Sequence, residues 1–235
     1  MKRFYKLVST QSSQDGYLIT LDGRPVKTAL KKEMLAPNEH LANALVVEWS
    51  GQQEEINPDS MPLTQILSTK IDRVSHEREA MQKYVFKYLD TDLLCYRTDH
   101  PPELQKAQEE MWNPHLEWFA QEYGTPLETT FAITALKQPD TAHEKIRSII
   151  KGLDDDRFTA FQLIVSASGS LVLGLAAING KLTAEEIYAA MRVEENFKAE
   201  IYNEEFYGAD PAQEKKDMAT QEDLRAAMHY LSLLD

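Results

Sequence analysis

The chain is poor in the residues that most reactions and most metal sites require. Its 235 residues include one cysteine, Cys95, which excludes an internal disulfide and any site built from several thiolates and fits a reducing compartment. Glycine is scarce, at nine residues. None falls in a Walker A or GxGxxG arrangement, the patterns that let backbone amides close on a phosphate. The six histidines (His40, His76, His100, His115, His143 and His229) stand apart. No two have the i, i+3 or i, i+4 spacing that would put two metal ligands on one helix face. Basic residues are outnumbered, 25 against 38 acidic, for a formal net charge of −13. That balance argues against holding nucleic acid or anionic lipid by bulk electrostatics. A membrane-spanning helix needs about 20 apolar residues, and the longest candidate, LVLGLAAI at 171–178, is far shorter. The opening MKRFYKLVST has no apolar core for a secretory signal and too little arginine and serine for a mitochondrial presequence.

What remains is a chain that folds. Hydrophobic residues make up 43%, and the length allows a sizeable core. RFYKLVS (3–9) and YLITL (17–21) are rich in aromatic and β-branched residues and predict strands, with polar SSQDG between them. Asp22-Gly23 is a hairpin signal, and Pro25 confines the next strand to an edge or a start. From Pro37 the period becomes helical, with Leu41, Ala44, Leu45 and Trp49 on one stripe. Asn57-Pro58 marks a break, and Pro62 suits a first helical turn before Leu63, Ile66, Leu67 and Ile71. Beyond about residue 75 nearly everything is helical. Met81, Val85 and Tyr88 stripe one helix, and Leu104, Ala107, Met111, Trp118 and Phe119 the next. Thr141 with Glu144 and Thr183 with Glu186 have capping-box spacing, Asn179-Gly180 is a helix stop, and Thr220 opens a last helix. Gly169 and Gly174 in SGSLVLGLA allow close packing of a buried helix. The fold class is α+β: a small, mainly β N-terminal domain (1–80), with strands and then helices, followed by a larger all-helical domain (81–235).

Two places combine acids with apolar periodicity. TDLLCYR (91–97) holds Asp92, Cys95 and Arg97. Extending the Met81–Val85–Tyr88 stripe puts Asp92 and Cys95 inward near a helix C-terminus, where the dipole disfavours a thiolate and a buried cysteine acts as a small hydrophobe. A carboxylate so placed needs a partner, and Arg73 or Arg97 is the expected one. In RVEENF (192–197), Glu194 falls on the stripe of Ile187, Met191, Phe197 and Ile201, with Glu195 at its margin. Either a buried pair or a polar anchor in an apolar groove would satisfy that spacing.

Several stretches together resemble one family. They are RFYK, LDGRPVKT (21–28), EWSGQQ (48–53), INPDSMPLT (56–64) with Thr69 and Asp72 following, TDLLCYR, SGSLVLGLA and RVEENF. In this order they resemble the F1-ATPase assembly chaperones that act on the alpha subunit, found in mitochondria and alphaproteobacteria. The resemblance implies a mainly β domain followed by a helical one, no catalysis, no cofactor, metal or small-molecule substrate, and a protein partner, the unassembled F1 alpha subunit. It points to RVEENF as partner-binding, with Glu194 foremost, then Glu195, Phe197 and Lys198. Trp49, Asp72, Asp92 and Arg97 become family signature positions of architectural kind. The chain departs from the family after ENF, where Lys198, Tyr202-Asn203 and EEFYGAD stand, so the segment 198–208 is where recognition would differ. Starting at the family motif favours a bacterial cytoplasmic member over a mitochondrial-matrix precursor. Two other readings compete: a hydrolase or transferase using Cys95 or the Asp92 and Glu194 carboxylates, and a generic adaptor.

Overall fold

The Asp22-Gly23 pair forms the turn its chemistry suggests. Both residues take positive φ, 49° and 79°, as a type I′ turn requires. The turn joins β2 (Gly16–Leu21) to β3 (Arg24–Pro25) with Leu21 opposite Arg24, and β3 stops at the proline that cannot donate. The coordinates are a computed structural model that describes residues 1–202 and 211–235. β1 (Val8–Ser13) pairs antiparallel along all of β2, and β4 (Leu35–Ala36) pairs with Tyr17 and Leu18. The first strand therefore lies later than the 3–9 predicted. Arg3 instead donates its backbone N–H to Glu54, and Lys2 bridges Glu55. Polar residues 10–13 are tolerated because β1 is an edge strand.

α1 (Glu39–Ser50) starts where Asn38 caps it by accepting from the Leu41 amide, and it buries Leu41, Ala42 and Leu45. α2 (Pro62–Thr69) opens with proline in its first turn and buries Leu63, Ile66 and Leu67. A π-helical turn, Lys70–Val74, then shifts the phase, so Val74 is buried in place of the expected Ile71. α3 (Ser75–Phe86) buries Met81 and Val85.

The chain divides into two units, one of Met1–Glu79 with Asp154–Ala160 and Ala226–Asp235, the other of Ala80–Leu153 and Phe161–Arg225. In the first, Ile19, Met34, Leu41, Leu45 and Leu67 form the core between sheet and helices. Its later segments are tied in by polar contacts. The Tyr230 hydroxyl donates to Asp156 at 2.6 Å, Lys70 pairs with Asp156 at 3.1 Å, and the Asn38 amide donates to the Leu233 carbonyl at 2.8 Å.

The second unit is helical. α4 (Pro102–Tyr123) buries Leu104, Gln108, Trp112 and Phe119, while Met111 is exposed. The true stripe is displaced from the predicted one because a glutamine occupies one of its inward places. α5 (Asp140–Gly152) already includes Thr141, so that threonine cannot cap, and its hydroxyl meets that of Thr125 at 3.1 Å. α6 (Asp155–Ser168) contributes its later residues, and α7 (Leu171–Ile178) is capped by Ser170 and wholly buried from Leu171 to Ala177. A Cβ on Gly174 would lie 2.5 Å from Val165 and 3.0 Å from Phe161, so glycine is what lets α7 pack on α6. Gly169 is different. Its φ of 70° makes the turn before α7, and the nearest atom to a Cβ there is 4.0 Å away. α8 (Ala184–Met191) carries the full Thr183–Glu186 capping box. α9 (Val193–Tyr202) follows, and α10 (Pro211–Ser232) begins well before the expected Thr220. Its charged first turns carry no apolar stripe to mark them. The architecture is thus α+β, a small antiparallel sheet first and helices after.

Candidate functional site

The helix does not reach Asp92. α3 ends at Phe86, a 3-10 turn covers Lys87–Leu89, and Asp92 sits in extended conformation capping a second one, Leu93–Cys95. Its carboxylate accepts from the Leu94 amide at 3.0 Å, the Ser170 hydroxyl at 2.8 Å and the Val172 amide at 2.9 Å. The side chain is 0% exposed.

No arginine takes part, which overturns the predicted ion pair. Arg97 donates through Nε to the Leu94 carbonyl and through Nη2 to Asn113, and its guanidinium lies over Trp112 at 5.0 Å. Arg73 pairs with Glu77 at 3.3 Å. The neutralising group is the N-terminus of α7, whose free amides and positive dipole end favour an anion. Burial still outweighs these donors and pushes the Asp92 pKa up to about 6.

Cys95 is 1% exposed. Burial, reinforced by the Asp92 charge, pushes its thiol well above the ordinary range, the opposite of what a thiolate nucleophile needs. A substrate would have no solvent path to either group as the structure stands. The arrangement here is a helix-capping carboxylate packed beside an inert thiol.

The RVEENF segment is built differently. A break at Arg192 separates α8 from α9, so the predicted continuous stripe does not form: Val193 is buried at 8% and Ile201 is 61% exposed. Glu194 is left at the surface with a side chain 39% exposed. One oxygen accepts from the Gln108 side-chain amide at 2.9 Å, and the other lies 3.9 Å from the Lys198 ammonium. Gln108 is fully buried and also accepts from the Thr98 amide at 2.9 Å. That residue was missed by sequence reasoning. Its signal was its place, four residues from Leu104 and four from Trp112 on the buried stripe.

Phe197 is half-buried, and Glu195 and Lys198 are exposed. Glu195 and Lys198 line an open cavity of about 430 Å³ with Tyr188, Met191, Arg192 and Asp217. Arg192 pairs with Asp217 at 2.9 Å, while its Nε is buried without a hydrogen-bond partner. Of the segment 198–208, residues 203–208 lie outside the described residues.

The remaining signature residues lie in the first unit. Asp72, in the π-helical turn, accepts from the Thr28 hydroxyl at 2.6 Å and the Leu30 amide at 3.1 Å, fixing the loop between β3 and β4. The Trp49 carbonyl accepts from the Tyr5 hydroxyl at 2.7 Å, and the two rings meet edge-on at 5.9 Å. No helix among the described residues is long and apolar enough to cross a membrane.

Residues 2–120 match the family described as ATP12 chaperone protein. A curated relative, the mitochondrial protein atp12 of Schizosaccharomyces pombe, is 29% identical over 205 residues, covering 82% of this chain and 70% of the relative. The crystal structure of Atp12 from Paracoccus denitrificans superposes with a TM-score of 0.92 at 33% identity, covering 100% of this chain and 98% of that one. A structure from Agrobacterium tumefaciens gives a TM-score of 0.91 at 31% identity, covering 100% and 86%. A family match over half the chain, and a relative of one-third identity along its whole length, show that the chain belongs to the ATP12 chaperone family.

Proposed function

We propose that this chain is an assembly chaperone for the F1 sector of ATP synthase, and that it binds the unassembled alpha subunit and covers the surface that later packs against the beta subunit. The observation that carries the reading is family membership along the whole chain, joined to a half-exposed Glu194 and to a cavity of about 430 Å³ lined by Glu195 and Lys198. An obligate subunit interface is large and apolar. Exposed before assembly, it invites aggregation, so a placeholder needs apolar contact together with polar groups that a final partner can displace.

The α9 face offers both. Phe197 gives apolar contact, and Glu194, Glu195 and Lys198 give charges held by few internal bonds. In this reading those four residues contact the client, while Asp72, Asp92, Arg97 and Trp49 hold the architecture. No cofactor or small-molecule substrate takes part, and the site of action is the bacterial cytoplasm.

The test is co-expression with the cognate alpha subunit followed by pull-down. A one-to-one complex that survives removal of nucleotide and divalent metal is the expected result. Absence of a complex, together with normal F1 assembly when the gene is deleted, would contradict the proposal.

A further inference from the structure

The second place where the surface looks unfinished lies in the first unit, away from the α9 face in sequence. A cavity of about 590 Å³ is walled by Phe4, Tyr5, Leu21, Val26 and Trp49. Arg24 and Lys27 also line it, and both are exposed. Phe4 leaves 66% of its surface open, and the neighbouring Met1 leaves 74%. Residues 1–32 hold seven basic and two acidic side chains, whereas the rest of the chain holds 18 basic and 36 acidic. Of the charged side chains that line the cavity, Arg24 and Lys27 are basic and Asp22 is acidic, a local excess of positive charge on an acidic protein.

The polar groups of the wall are not all satisfied. The Trp49 indole Nε1 is buried without a hydrogen-bond partner, so the ring meets the cavity through its carbon atoms. Asp22, the acid of the wall, is already engaged by the Lys6 and Leu7 amides at 3.1 and 2.8 Å. It holds the N-terminal segment and offers little to a ligand.

We propose that this cavity is a second client-contact site, which takes an extended peptide segment carrying a carboxylate next to an aliphatic or aromatic side chain. The aromatic walls, the Trp49 ring among them, take the apolar side chain, and Arg24 and Lys27 take the carboxylate. The inference rests on the chaperone reading for the identity of the client, and not for the chemistry of the cavity. A nucleic acid would also bring anions and stackable rings, but its polyanionic backbone meets a protein of net charge −13 and is disfavoured.

The test uses the full-length chain and two fluorescein-labelled nine-residue peptides, one alternating Glu and Leu, the other alternating Gln and Leu. On an acidic protein bulk electrostatics favour the neutral peptide, so a preference for glutamate reports a local site. The Glu/Leu peptide is expected to bind at least tenfold tighter, and the Arg24→Glu/Lys27→Glu variant to lose at least tenfold. In ¹⁵N spectra the indole resonance that vanishes in Trp49→Phe is expected to move on binding. Equal affinity for the two peptides, a stationary Trp49 resonance, or displacement of the peptide by single-stranded oligo-dT would overturn the proposal. A parallel pull-down of the F1 alpha subunit separates the two claims. Peptide binding without alpha-subunit binding sinks the client assignment alone, and alpha-subunit binding without peptide preference sinks this site alone.

Discussion

Asp92 and Glu194 are both acids on stretches whose periodicity calls for apolar residues, yet the fold treats them in opposite ways. Asp92 is sealed, 0% exposed, and accepts from three donors, two of them on or next to the start of α7. Glu194 keeps 39% of its side chain in solvent and accepts from one neutral donor, Gln108, with Lys198 at the edge of reach. A carboxylate that is buried and saturated has nothing left to offer a partner. One that is half-open and lightly held does. The contrast separates a structural acid from a candidate recognition acid without appeal to residue type.

Truncation should break the symmetry most visibly. Asp92→Ala removes the acceptor from buried donors at Leu94, Ser170 and Val172, and a loss of about 3 kcal/mol or more in urea denaturation is expected. Glu194→Ala, at a partly exposed site, should cost no more than about 1 kcal/mol. Comparable losses would erase the distinction.

Acidity gives a second handle. Asp92 is raised to about 6 in the fold, above its value of about 3.9 when unfolded. Between these values the folded state holds a proton that the unfolded state has released, so stability falls as pH rises. The contribution is full below about pH 4 and is lost by passage through about pH 6, a change of up to about 3 kcal/mol. In denaturation curves recorded from pH 4 to 7, Asp92→Asn should flatten this slope, and a slope as steep as wild type would contradict the assignment.

Gly174 probes the packing that holds α7, and with it the cap on Asp92. Alanine is the better helix former by about 1 kcal/mol. Here its Cβ would meet Val165 at 2.5 Å, so Gly174→Ala is expected to destabilise by about 1–3 kcal/mol. A thermal midpoint at or above wild type would show that α6 and α7 can separate without cost.

What the sequence made legible was local. The Asp22-Gly23 hairpin, the Asn38 start of α1, proline in the first turn of α2 and the Thr183–Glu186 capping box each depend on residues within a few positions of one another. What it hid was long-range. Asp92 meets Ser170, 78 positions away, and Glu194 meets Gln108, 86 positions away. A rule that pairs buried acids with arginine chose the wrong kind of partner, because a helix N-terminus does the same work with backbone groups that leave no mark on composition. Periodicity also failed where the helix itself changed: at the π-turn before Ser75 and at the break on Arg192. Gln108, polar on an inward stripe, was the one sequence signal that could have led to Glu194.

The most direct measurement is the affinity of the purified F1 alpha subunit for the wild-type chain, Glu194→Ala and Asp92→Asn, with each variant's unfolding midpoint recorded alongside. Glu194→Ala is expected to bind at least tenfold more weakly, about 1.4 kcal/mol, with its midpoint nearly unchanged. Asp92→Asn should keep its affinity while its pH profile of stability changes. Wild-type affinity in Glu194→Ala, or a loss of binding confined to Asp92→Asn while that variant remains folded, would contradict the assignment of one acid to the partner and the other to the fold.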